Sequence, residues 1–278
     1  MRFIDTHMHV GRLLVDRAPA TPEDLIAKMD ELGIERTVLL PIECAEELDY
    51  YVTTSEVLEV ARRYPDRFIP FCNIDPRRRY PGHFDPRPIL REYIAQGCKG
   101  FGENLAGIPI DDKMNQVLFA ACGELGLPMV FHFDQHINRD WLGFPGLENM
   151  LRLYPDTLFI GHGPHFWSEV SANVTAAEMS GYPKGPVVPT GATDRLLGQY
   201  PNLYGDLSAG SANNALTRDP EFARSFLERH QDKLFFATDY LSPGQRVDIV
   251  DTLMGLNLSE TALAKIAREN AIRVLKLD

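Results

Sequence analysis

The sequence predicts an α/β fold: a single (β/α)8 TIM-type barrel over residues 1–278, with a metal site at the C-terminal ends of its strands. Three observations carry this expectation. Short apolar runs of β type recur near residues 2–5, 37–41, 68–73, 99–103, 128–132, 157–161, 202–207 and 234–238, spaced by roughly the 30 residues that a strand and its crossover helix occupy. Helical patterns with explicit start and stop signals lie between them. Histidines and carboxylates stand at the ends of several runs, where a barrel of this kind assembles its site.

The first strand runs into Asp5-Thr6-His7-Met8-His9. Side chains alternate along an extended strand, so His7 and His9 share a face and can share a metal ion. The next helix has Thr21 as N-cap, Pro22 at its first position, Leu25, Ile26, Met29 and Leu32 on one face, and Gly33 as its stop. Thr37-Val-Leu-Leu and Pro128-Met-Val-Phe are near-continuous apolar runs, as parallel strands covered on both faces should be. Lys99-Gly-Phe-Gly leads to Glu103, Met129-Val-Phe to His132, Leu158-Phe-Ile-Gly to His162, and Leu234-Phe-Phe-Ala-Thr to Asp239.

Asp111 or Asp112 opens a helix with Met114, Val117, Leu118, Ala121 and Leu125 inward, and Gly126 closes it. Ser259 opens a last helical stretch through Leu263, Ile266 and Ala267, continued by Ile272 and Leu275. Asn73, Asp206 and Ser208 close or follow other strands and face the site region without a role the sequence names. Two connections are long enough to be lids or binding loops: 134–146, with His136, Arg139 and Trp141, and 163–191, with His165 and Trp167. Loop histidines of this kind are expected to face solvent. Arg12 and Arg139 are candidate clamps for a substrate carboxylate or ordinary surface pairs, and Trp141 and Trp167 either wall a pocket or pack a lid.

With 278 residues, 44% hydrophobic and 24% charged, the chain has the composition of a soluble globular protein with a sizeable core. A formal net charge of −11 argues against a sequence-independent grip on nucleic-acid phosphates or anionic lipid. No apolar run approaches the roughly 20 residues of a bilayer span, and the first residues lack a leader's pattern. The expectation is a cytoplasmic enzyme acting on a small molecule, with a homo-oligomer left open. Cys44, Cys72, Cys98 and Cys122 stand singly, without C-x-x-C spacing, and read as buried reduced thiols.

Asp5-Thr-His-Met-His9, His132, Gly161-His-Gly-Pro164, Ala237-Thr-Asp239 and Ala267-Arg-Glu-Asn-Ala271 together resemble the amidohydrolase superfamily. The likeness covers nearly the whole chain and is closest to the amidohydrolase-related branch that includes aminocarboxymuconate-semialdehyde decarboxylase. It implies a distorted barrel with one or two divalent metals. Carried over by position, His7, His9, His132 and Asp239 look like ligands of a primary ion, and Asp5 like a residue supporting the site. His162 resembles the family residue that binds a second metal or polarises the substrate. Two-metal relatives such as the TatD-type deoxyribonucleases place a carboxylated lysine or a glutamate after strand four; Glu103 stands there, either as a ligand or in a salt bridge with Lys99.

Three imidazoles and carboxylates suit zinc, with manganese or iron as alternatives. The resemblance implies a metal-dependent hydrolase of a small ester, lactone or amide, with metal-activated water attacking a polarised carbonyl and Asp239 and His162 as catalytic residues. The alternative is a lyase of the same branch, a non-oxidative decarboxylase or a hydratase, using one metal with His162 shuttling protons. A nuclease reading fits poorly with the acidic balance.

Overall fold

The computed structural model describes residues 1–44, 46, 48–78 and 83–278. Its strands are β1 (Phe3–Met8), β2 (Ile34–Leu39), β3 (Phe68–Pro70), β4 (Phe101–Asn104), β5 (Met129–His132), β6 (Phe159–His162), β7 (Leu203–Asp206) and β8 (Leu234–Phe235). All eight expected strands are present, and every ladder is parallel. Ladders join β1-β2-β3 and β4-β5-β6-β7-β8. Two shorter seams close the ring. Cys72 bridges Phe101, with Cys72 N donating to Gly100 O at 3.0 Å and Gly102 N to Cys72 O at 2.8 Å. Met8 bridges Tyr240, with Thr6 N donating to Phe236 O at 3.1 Å and His9 N to Tyr240 O at 3.0 Å.

The helices are α1 (Pro22–Leu32), α2 (Thr54–Arg63), α3 (Arg87–Ala95), α4 (Lys113–Leu125), α5 (Pro145–Leu153), α6 (Pro164–Ser168), α7 (Ala192–Gln199), α8 (Ala209–Thr217), α9 (Pro220–Arg229), α10 (Ile249–Gly255), α11 (Glu260–Ala264) and α12 (Asn270–Leu275). None among the described residues is long and apolar enough to cross a membrane. The capping chemistry read from the sequence is present in α1: Thr21 and Asp24 form a reciprocal capping box, and Gly33 ends the helix at φ +72°, a conformation that costs glycine little. Gly33 leads directly into pairing, Ile34 against Phe3, so β2 begins three residues earlier than the apolar run suggests.

In α4 the inward face is rotated from expectation. Asp112 is the N-cap and Gly126 the C-cap, but the buried residues are Asn115, Leu118, Phe119, Ala121 and Cys122, while Met114, Val117 and Leu125 are half-buried. A polar residue holds an inward position because its amide is engaged there, which hydrophobic periodicity does not register. All four cysteines are free and buried.

Most of the core lies between strands and helices. A separate apolar cluster fills the barrel interior: Ile4, Val38, Ile69, Phe71, Val130, Ile160, Tyr204 and Phe235, closed from below by Ala271, Leu275 and Leu277. The terminal segment is anchored by Asn270, whose Nδ2 donates to Gln231 O at 2.7 Å and Leu234 O at 2.8 Å.

Candidate metal centre

The site grows from the same inward faces that make the apolar interior. Two residues beyond Val130, Ile160 and Tyr204 stand His132, His162 and Asp206, the same face one layer higher. In β1 strict alternation fails, because Ile4 is interior and so is His7, three residues on. A register shift between Asp5 and Met8 absorbs the extra residue. β4 lacks a large inward side chain: at Gly102, with φ +129°, a Cβ would lie 2.8 Å from Val130 O, so only glycine lets the strand run this close to β5 before Glu103.

Six sequence-predicted residues meet at one end of the barrel. His7 Nε2 and His9 Nε2 lie 3.0 Å apart. Glu103 Oε2 is 3.3 Å from each of them, while its other oxygen, Oε1, lies 3.2 Å from His132 Nδ1 and 3.8 Å from His162 Nε2. Asp239 Oδ1 is 3.5 Å from His7 Nε2 and 3.4 Å from His9 Nε2, and Oδ2 is 4.0 Å from His162 Nε2. Asp239 has φ +54°, a left-handed conformation that aspartate adopts more readily than most residues; its N–H donates to His7 O at 2.8 Å. The cluster meets solvent at His132 and Asp239, whose side chains are 16% and 18% exposed; those of His7, His9, Glu103 and His162 are 4% or less.

The imidazoles are aimed by a second layer of acceptors. His9 Nδ1 donates to Leu40 O at 3.0 Å; a carbonyl only accepts, so the neutral ring turns its Nε2 lone pair to the cluster. Asp206 does the same for two rings at once, with Oδ2 2.6 Å from His7 Nδ1 and Oδ1 3.2 Å from His162 Nδ1. Ser208 Oγ stands 2.8 Å from His162 Nδ1 and hydrogen-bonds Asp206 Oδ1. Asp5 accepts from His7 N at 2.8 Å, Thr238 N at 3.1 Å and Thr238 Oγ1 at 2.6 Å, which ties β1 to the turn carrying Asp239.

Burial and pairing move the charges together. Burial opposes ionisation of Glu103 and Asp206, yet the facing histidines hold both carboxyls well below the usual range. Burial likewise opposes a charged His7, but Asp206, Glu103 and Asp239 raise its pKa well above the ordinary 6.5. Asp5 is pushed up to about 7 by burial, against the lowering pull of its hydrogen bonds to Thr238 and His7 and of the His7 charge. Among the described residues the ion-pair partners of Glu103, Asp206 and Asp239 are all histidines. His7, Glu103 and His162, and again His7, His9 and Asp239, bring one donor atom each within 4.8 Å of one another. Buried imidazole and carboxylate donors that converge, among the described residues, with no lysine or arginine paired to their carboxylates fit a divalent cation.

Residues beyond the cluster fare unevenly. His136 is exposed as expected, but His165 is fully buried, its Nε2 2.7 Å from Glu169 Oε1 and its ring stacked on Phe144 with centroids 4.3 Å apart. Trp167 is core, donating Nε1 to Asp206 O at 3.0 Å, whereas Trp141 is 79% exposed beside a cavity of about 640 Å³ that Asp134, Arg139 and Met179 also line. Arg12 donates to Val15 O, and Arg139 to Gly107 O and His136 O. Lys99 is exposed, and Glu103 is buried among histidines instead of pairing with it. Asp206 is the residue sequence reasoning left without a role; the signal was its period-two step from Tyr204, matching Ile160 to His162.

The family model described as Amidohydrolase matches residues 4–277. The comparison with curated proteins returns no match. Among solved structures, an uncharacterized TIM-barrel protein from Bordetella bronchiseptica is 18% identical with a TM-score of 0.70, the match covering 100% of this chain and 99% of that one. A putative 2-pyrone-4,6-dicarboxylic acid hydrolase from Pseudomonas putida is 15% identical with a TM-score of 0.67, covering 100% and 98%. A dihydroxybenzoic acid decarboxylase from a Polaromonas species, with bound manganese and the inhibitor 2-nitroresorcinol, is 16% identical with a TM-score of 0.61, covering 99% and 97%. At these identities the likeness is one of fold, and it reaches hydrolases and decarboxylases alike. With the family model matched from end to end, the chain belongs to the amidohydrolase family.

Proposed function

We propose that this protein is a single-domain, metal-dependent hydrolase of a small ester, lactone or amide, working in the cytoplasm with two divalent cations, zinc before manganese or iron. The observation that carries the reading is the placement of Glu103, whose two oxygens face different imidazole sets. His7, His9, Asp239 and Glu103 Oε2 would hold one ion, and Glu103 Oε1, His132 and His162 the other. A bound divalent cation supplies Lewis acidity and lowers the pKa of water towards about 7.

The chain's own residues do the rest. Asp239, partly open to solvent and reaching both halves of the cluster, accepts a proton at its carboxylate from the attacking water and returns it to the leaving group. His162, held at Nδ1 by Asp206 and Ser208, has Nε2 alone left to face the cluster, where it would ligate the second ion of the two-ion site. The lyase reading has its own support in the manganese-containing decarboxylase of similar fold; there one ion would sit on His7, His9, His132 and Asp239, with His162 moving protons.

Elemental analysis of purified protein beside Glu103→Gln tests the choice. Two metal equivalents falling to one, with turnover of lactones or esters lost, is expected. One equivalent unaffected by the substitution overturns the two-ion site, and carbon dioxide release from aromatic carboxylates without hydrolytic turnover establishes the lyase.

A further inference from the structure

Glu103 and His132 sit where the β4–β5 ladder gives out. The register between the strands is irregular from Phe101 to Asn104, so ladder hydrogen bonds alone do not fix the two side chains against each other. Directly behind them lie three asparagines, Asn104, Asn115 and Asn138, all fully buried. Asn138 Nδ2 donates to Asn104 O at 2.7 Å and to His132 O at 3.0 Å. One amide thus bridges the main chain of His132 and that of the residue after Glu103. Asn138 Oδ1 accepts from Asn115 Nδ2 at 3.2 Å, and Asn115 Oδ1 accepts from Asn104 Nδ2 at 3.2 Å. Asn104 Oδ1 accepts from Ala106 N at 2.9 Å, and Asn115 Nδ2 also donates to Pro109 O at 3.1 Å.

The ring of contacts closes on itself, and each side-chain amide nitrogen and oxygen has a partner. A complete buried polar network specifies one arrangement, whereas a broken one leaves desolvated groups unpaired. Two of its members stand where hydrophobic packing alone would not put them. Asn115 occupies an inward position of α4, and Asn138 holds φ +42°, a conformation asparagine tolerates. On the opposite side Asn73 Nδ2 donates to Glu103 O, so the Glu103 main chain is also gripped from the segment that follows β3.

We infer that Asn104, Asn115 and Asn138 are positioning residues that fix Glu103 against His132, and thereby set the half of the centre made by Glu103 Oε1, His132 and His162. The inference rests on the two-ion reading above for its consequence, but its geometry stands without metal. Asn138→Gly removes the amide while keeping the left-handed backbone accessible; Asn138→Asp keeps the shape and loses the donor, and serves the same test if the glycine variant does not fold.

In metal-free full-length protein labelled with ¹⁵N-histidine, the His132 ring resonances, assigned with a His132→Gln sample, should move while those of His9 stay. On titration with zinc, one of two equivalents should weaken about 10- to 100-fold and the other hold its affinity. Unmoved His132 resonances overturn the inference. So does equal weakening of both equivalents alongside a fall in Tm, which would make the network part of the general fold. A wild-type protein binding one equivalent overturns the two-ion reading instead, and the resonances alone then decide for or against the network.

Discussion

The two layers of the barrel interior are built by the same strands, two residues apart, and they obey opposite rules. Val130, Ile160 and Tyr204 form a lower layer sealed by Leu275 of α12 and by Leu277 just beyond it. His132, His162 and Asp206 form an upper layer of ionisable groups, with His162 and Asp206 as buried as the layer below and His132 open to solvent on one side. Burial of apolar surface stabilises the lower layer outright, at about 25 cal/mol per Å². In the upper layer burial is costly, and the charges persist because each carboxylate is answered by an imidazole. One layer therefore supplies stability and the other spends it on chemistry, and substitutions in the two should separate folding from function.

The largest effect on stability is expected in the lower layer. Leu275→Ala should cost about 2–5 kcal/mol, read as a lower Cm in urea, with kcat of the folded fraction unchanged; a loss of kcat at full folding would show that the layers are not independent. Next comes the support of the upper layer. Asp206→Asn keeps the shape but removes the charge shared by His7 and His162, and should weaken metal affinity about 10- to 100-fold with a much smaller change in stability. Unchanged zinc affinity would reduce Asp206 to a packing residue.

The smallest effect is a pH trend confined to the metal-free protein. Asp5, pushed up to about 7 from 3.8 by burial, and His7, raised above 6.5 by its carboxylates against burial, both bind more protons folded than unfolded as pH rises from 5 to 8. Stability tied to these groups is present at low pH and lost as pH passes their folded values, at about 1.4 kcal/mol per pH unit for each proton. Glu103 and Asp206 have the opposite sign: their contribution is present above the ordinary carboxylate range and is lost as pH falls through their depressed values. The Tm of metal-free protein should then decline by about 2–4 °C per pH unit between 5 and 8, and saturating zinc should flatten the slope by replacing protons in the cluster. A flat profile without metal would contradict the charge state drawn for His7 and Asp5.

Much of this was legible in the chain. Eight strands, the caps of α1, and the positions of His7, His9, Glu103, His132, His162 and Asp239 at strand ends all follow from local rules: alternation with period two, N-cap and C-cap chemistry, and the tendency of barrels to gather their site at one end. The features the chain did not disclose share one cause. Asn115 takes an inward place that apolar periodicity would give to another residue. His165 is buried on a loop because Glu169 and Phe144 cover it, and β1 shifts register so that Ile4 and His7 both face inward. Each depends on at least one partner outside its own segment: Asn104 and Asn138 for Asn115, Phe144 for His165, and β2 for β1.

The sequence by itself determined the barrel, its helical punctuation and the identity of the clustered donors, because those are written in contacts a few residues long. Only the tertiary structure decided that Glu103 divides its oxygens between two imidazole sets, that Asp206 serves two histidines, and that three asparagines lock β4 to β5. The Glu103 and Asp206 relations join residues 29 to 199 positions apart and the asparagines residues 11 to 34 apart, and a distance of 3 Å across such separations exists only once the ring of strands has closed.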